Sequence, residues 1–143
     1  MVVCVIFQVQ GYSVNSSKSE KAIVETFRNP ILDFVSPDPQ AFFHNGFYYL
    51  VLSSNVYPYL NGGILMYKSR ILTDFRGAQH KMIYNIPTGL ANLWAPEIHE
   101  IDGQVYIYFA MDDGNNDNHR MYVIKADDPN DLFGSWTTEK RFA

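Results

Sequence analysis

The sequence predicts an all-β fold in which small antiparallel sheets repeat along the chain. Three observations predict it. Ten Tyr and ten Phe in 143 residues, 15% aromatic and 47% hydrophobic overall, make the composition globular and β-leaning. An Asn45-Gly46 dipeptide stands between Gln40-Ala41-Phe42-Phe43 and Phe47-Tyr48-Tyr49-Leu50-Val51-Leu52-Ser53, which is a strong hairpin signal. The pattern then returns about 57 positions later, a period in the range of structural repeats. Pro39 falls on Pro96, Gly46 on Gly103, Tyr49 on Tyr106, Leu50 on Ile107, and Met66-Tyr67 on Val123-Ile124. A period of this size made only of strands points to the blades of a β-propeller, each a sheet that cannot bury both faces alone.

The elements follow in order. Residues 1–26 read as an N-terminal segment. Its apolar run Val2–Phe7 is too short to span a bilayer and lacks a basic n-region, so it reads either as a strand or as a truncated signal sequence. Ser13–Lys21 is a polar linker, and Asn15-Ser16-Ser17 is a glycosylation sequon with meaning only in a secreted protein. Phe27–Leu32 leads into a first blade over about 30–85. That blade holds the hairpin, a loop with Pro58 and Asn61-Gly62-Gly63, a third strand at Ile64–Ser69 and an outer strand at Gln79–Tyr84. A second blade covers about 86–143, with strands at Gln104–Ala110 and His119–Lys125 and with Trp136 packing between blades.

Charge and cysteine count exclude several classes. The net charge is −4 and no basic patch with interleaved aromatics occurs, so neither nucleic acid nor a membrane is expected as a partner. Cys4 is the single cysteine, which rules out an internal disulfide and a cysteine-based metal site, and no cofactor or metal is expected. A closed ring of five repeats needs roughly 285 residues. The chain therefore reads as the N-terminal part of a larger propeller, against the alternative of a complete two-sheet domain.

Asp38 is the first candidate site residue. It lies between Pro37 and Pro39, and a following proline is expected to hold it in an extended conformation at the mouth of a strand. A catalytic carboxylate needs such placement, although a turn aspartate looks the same locally. In the repeat frame Ala95 is level with Asp38 and Trp94 with Pro37, so Trp94 should reach the same axial pocket. An indole beside a carboxylate suits a sugar, whose C–H faces pack on aromatic rings while its hydroxyls need polar partners; the bland reading of Trp94 is core. Glu97 and His99 flank Ile98 and should share the opposite sheet face, with His99 in a structural hydrogen bond. Asp112–Asn118 resembles a calcium loop but has Asn118 and Ile124 where an EF-hand needs Gly and Glu, so it reads as a solvated hairpin loop.

Asn29-Pro30-Ile31-Leu32, Pro37-Asp38-Pro39, Asn45–Leu50, Tyr67-Lys68-Ser69, Asn92-Leu93-Trp94-Ala95-Pro96-Glu97-Ile98-His99 and Asn118–Val123 together resemble glycoside hydrolase family 43, over about Phe27 to Trp136. That family contains β-xylosidases, α-L-arabinofuranosidases and arabinanases. The resemblance implies a five-bladed β-propeller, of which this chain holds about the first two blades, and inverting hydrolysis of plant-wall arabinosides or xylosides outside the cell. It implies a general base at Asp38, a substrate-lining indole at Trp94 and a further lining residue at about Asn55. The carboxylate that tunes the acid, and the general acid itself, belong to later blades. Glu97 is therefore expected to bind substrate or support the sheet, not to act as the acid, and the chain alone is expected to be inactive. Gln40 stands where relatives often carry Trp. The sequence leaves two other readings. One is a non-catalytic propeller module that binds carbohydrate or protein. The other is a fructan-acting relative, whose Asn-Asp-Pro-Asn-Gly and Arg-Asp-Pro motifs are absent.

Overall fold

A computed structural model describes residues 26–54, 62–137 and 140–141. The expectations for the N-terminal run, the linker, the sequon and Asn55 fall outside those residues. The described chain is all-β apart from one 3₁₀ turn at Asn116–Asn118. Strands β1 (Gln40–His44), β2 (Phe47–Ser54), β3 (Gly63–Ser69) and β4 (Gln79–Asn85) form one antiparallel sheet in sequential order. Strands β5 (Ala91–Ile101), β6 (Gln104–Asp112), β7 (Arg120–Lys125) and β8 (Lys140–Arg141) form a second sheet, also in sequential order.

The repeat is visible in the backbone. Asn45 and Gly46 adopt φ of 49° and 78°, and Asp102 and Gly103 adopt 51° and 73°. Two successive left-handed residues make the tight turn whose twist matches a hairpin, and Asn, Asp and Gly tolerate that region best. Each turn fixes its hairpin register, with His44 opposite Phe47 and Ile101 opposite Gln104.

The two sheets pack face to face. Tyr49, Val51, Ile64 and Met66 of the first sheet meet Val105, Ile107, Phe109, Met111, Tyr122 and Ile124 of the second in one buried cluster, and Trp136 packs against it. The other face of the first sheet carries Leu50, Leu52, Leu65 and Tyr67, covered by Leu32 and Phe75. Arg76 secures that cover by donating to the Asp33 carboxylate at 2.9 Å and to the Pro30 carbonyl. The alternation of β2 and β6 thus sends successive residues to opposite faces, as a pleated strand must.

Polar ties cross between the sheets. Gln40 donates through Nε2 to the Ile98 carbonyl at 3.3 Å, and its Oε1 accepts from the Ile98 N–H. His44 reaches Glu100 and the Pro129 carbonyl, while the Lys81 ammonium donates to the carbonyls of Phe133 and Gly134. Gln40 is thus an inter-sheet tie.

Candidate active site

Both sheets present the start of their first strand at one cavity of about 400 Å³, lined by Pro37, Asp38, Ser53, Trp94 and Ala95. Asp38 is not extended, as its following proline suggested. Its φ is 54°, in the left-handed region. The pre-proline restriction acts mainly against the right-handed helical region, and Asp is among the residues that tolerate left-handed backbone. Ala95, its repeat equivalent, has φ of 49°. Alanine has no side-chain bond to offset that cost, so the kink belongs to the repeat and not to the aspartate alone.

The kink aims the carboxylate between the sheets. Asp38 Oδ2 accepts from the Ser53 hydroxyl at 2.8 Å and from the Ala95 backbone N–H at 3.2 Å. Ser53 is itself buried, and its backbone N–H donates to the Pro37 carbonyl at 3.3 Å. Both bonds to the carboxylate fall on Oδ2, and among the described residues none is made to Oδ1. One oxygen of the carboxylate is thus fixed by two donors.

Trp94 reaches the same cavity through two register shifts in β5. One extra residue lies between Ala91 and Trp94 and another between Trp94 and Glu97, relative to the facing β6. The left-handed residues Asn92 (φ 51°) and Ala95 (φ 49°) lie inside these two bulges. Bulges bend a strand and re-aim its side chains, here turning Trp94 out of the alternation while Leu93 stays fully buried. Trp94 is 44% exposed, so it is not core. Its indole stacks on His119 with ring centroids 4.1 Å apart and an interplanar angle of 29°.

Glu97 and His99 share the exposed face of β5, as the alternation about buried Ile98 requires, and pair with each other at 3.3 Å. Glu97 is not among the residues lining the cavity. Sequence reasoning missed Ser53, yet counting back from the Asn45-Gly46 turn sets it opposite Asp38. It also read Asp112 as part of a solvated loop. The structure corrects this: Asp112 is 1% exposed, because it ends β6 inside the sheet and accepts bonds from Asn92 and from the Gly114 N–H. The rest of that loop is exposed and held by short Asx-type bonds at Asp113 and Asn115. Among the described residues no group of three or more His, Cys, Asp or Glu is arranged to hold a metal ion.

Two antiparallel sheets thus meet at a cavity with one anchored carboxylate and one exposed indole. The chain belongs to glycosyl hydrolases family 43, whose family description matches residues 27–143. It is 34% identical over 125 residues to the extracellular exo-α-(1→5)-L-arabinofuranosidase of Streptomyces avermitilis, covering 82% of this chain and 24% of that protein. It is 29% identical to α-L-arabinofuranosidase 43 of Humicola insolens, covering 70% of this chain and 21% of that protein. Among solved structures it resembles an α-L-arabinofuranosidase from Lactobacillus brevis, with a TM-score of 0.65, 29% identity, and coverage of 78% of this chain and 37% of that one. The chain thus spans about a fifth to somewhat over a third of the length of these proteins.

Proposed function

We propose that this chain supplies the first two blades of a five-bladed propeller glycosidase that hydrolyses arabinosides, or xylosides, with inversion. Asp38 is its general base. The observation that carries the reading is the anchored carboxylate: Ser53 and the Ala95 amide hold Oδ2 of Asp38, which lines the cavity. The names of the arabinofuranosidase relatives support the substrate class.

Inversion requires a base and an acid on opposite sides of the sugar, about 6.5–9.5 Å apart, so that a water fits beside the anomeric carbon. In this reading Asp38 removes a proton from that water as its oxygen bonds to the anomeric carbon. A second carboxyl, kept protonated, gives its proton to the departing glycosidic oxygen. The acid and the residue that tunes it come from later blades. Trp94 offers its indole to the C–H face of the sugar, and Asn55, the next residue in the sequence after Ser54, is a further lining residue in this reading. Glu97 occupies the repeat position of Gln40, which favours a sheet-supporting role over a sugar contact. The products and the name of the avermitilis relative favour an extracellular setting.

A non-catalytic sugar-binding module is the second reading, favoured by the presence of a single carboxylate, Asp38, among the residues lining the cavity. The test is an assay of the full-length gene product and of this 143-residue chain on aryl α-L-arabinofuranoside and aryl β-D-xyloside, with the product anomer followed by NMR. Turnover with inversion by the full-length protein, and none by the chain, is the expected result. Retention of configuration, or turnover by the chain alone, overturns the mechanism. Binding without turnover by the full-length protein establishes the module instead.

A further inference from the structure

Beneath Trp94 lies a buried polar cluster to which the proposed chemistry assigns no task. Asp112 is 1% exposed and sits at the end of β6. Its Oδ1 accepts from the Gly114 N–H at 2.7 Å and from Asn92 Nδ2 at 3.0 Å. Its Oδ2 lies 3.1 Å from the same amide and 2.8 Å from His119 Nδ1. On the other side of the ring, His119 Nε2 is 3.1 Å from the Asn92 carbonyl oxygen, which can only accept, so Nε2 carries a proton. The imidazole thus bonds the Asn92 carbonyl through Nε2 and lies with Nδ1 against the Asp112 carboxylate, its face stacked on the indole. Asn92 belongs to the first bulge of β5, two residues before Trp94, so the same cluster grips the backbone that turns Trp94 outward.

We propose that His119 is the positioning residue that sets Trp94 as a flat wall of the cavity, with Asp112 and Asn92 locking the imidazole in place. An exposed indole on a bulged strand has free rotamers unless something stacks on it, and a ring 4.1 Å away at 29° removes that freedom. A ring tied at Nε2 to the Asn92 carbonyl and packed at Nδ1 against a buried carboxylate is a better floor than an aliphatic side chain, because both contacts oppose its turning edge-on. A core-filling histidine needs neither the buried carboxylate nor the shared partner in Asn92. That the wall receives a sugar rests on the function proposed above; that His119 sets the wall does not.

The two statements separate experimentally. The chain holds two tryptophans, so a Trp136→Phe background leaves Trp94 as the reporter. In that chain, His119→Leu and Asp112→Asn are each expected to abolish the near-ultraviolet dichroism of Trp94 and to raise its quenching by acrylamide, with far-ultraviolet dichroism unchanged. Unchanged near-ultraviolet dichroism in His119→Leu overturns the proposal. Should the variants not fold, cross-relaxation between the His119 and Trp94 ring protons in the unmutated chain decides the matter: its presence with an upfield-shifted imidazole supports the stack, and its absence overturns it. In the full-length protein, His119→Leu is expected to raise KM about three- to tenfold, the worth of one aromatic contact, with kcat nearly unchanged. Lost Trp94 dichroism with an unchanged KM keeps His119 as the positioning residue and overturns the sugar wall.

Discussion

Leu50 and Leu52 lie on one face of β2 beneath Leu32 and Phe75, while Tyr49 and Val51 on its other face are covered by the second sheet. One repeat later the faces fare differently. Ile107 and Phe109 of β6 are fully buried against the first sheet, but Tyr106 and Tyr108 are only half-buried, and their neighbours Met121 and Ile101 are 48% and 46% exposed. Among the described residues the first sheet is covered on both sides and the second on one. Each residue of the first sheet that meets the second has its repeat equivalent on the open face: Tyr49 at Tyr106, Val51 at Tyr108, Ile64 at Met121, Met66 at Val123, Gln40 at Glu97. The difference teaches that these sheets stack in one direction, leading face onto trailing face, and that the open face of the second is patterned like a face built to be covered. At the cavity the sheets differ in the same ordered way, since one supplies the carboxylate and the other supplies an amide and an indole.

The comparison breaks most visibly at the cavity. In the full-length protein, Asp38→Asn is expected to lower kcat by about 10²–10⁴-fold, the usual worth of a general base, without changing the unfolding midpoint. Adding Ala95→Asp to that variant is expected to restore nothing, because the second sheet carries no equivalent of Ser53 at Ala110; recovery of turnover would make the two strand starts functionally equivalent. The next effect concerns the faces. Ile107→Ala is expected to destabilise the chain by about 2–5 kcal/mol and its neighbour Tyr106→Ala by about 1 kcal/mol or less, read as midpoint shifts in urea. Equal losses would mean that the face bearing Tyr106 is covered in solution.

A smaller effect is expected at Gly63, where a β-carbon would lie 2.1 Å from the Tyr84 carbonyl oxygen and 2.8 Å from the Met82 sulfur. Gly63→Ala should cost about 1–3 kcal/mol by overpacking, measured by thermal melting. Gln40→Ala should cost a similar 1–3 kcal/mol or slightly less, because it leaves the part-buried Ile98 N–H without its acceptor. Glu97→Ala, at the equivalent open position, should stay within about 0.5 kcal/mol in this chain. A large loss there would mean that its exposed contact with His99 is worth more than a surface pair usually is.

Much of this was legible in the sequence because it depends on local chemistry repeated at a fixed offset. The Asn-Gly turn set the register of β1 and β2, and the recurrence of Gly103 placed the second hairpin. Proximity of Trp94 and Asp38 followed from the same offset. What could not be read depends on tertiary contacts. The left-handed backbone at Asp38 is maintained by bonds to Ser53 and to an amide one full repeat away. The bulges around Trp94 leave no composition signal, since Asn92 and Ala95 are ordinary residues. Asp112 stands at the head of an Asp/Asn run that otherwise faces solvent, and only its place at the end of β6 buries it beside His119.

The kink shared by Asp38 and Ala95 bears on how such a cavity changes over time. Because the backbone turn is carried by the repeat, the side chain mounted on it can be exchanged without remaking the strand below. One copy bears an acid and the other a methyl group on nearly the same geometry. Reactivity on this shared frame is therefore set by pairs of side chains, Asp38 with Ser53 in one copy and Ala95 with Ala110 in the other, while the backbone beneath them stays the same.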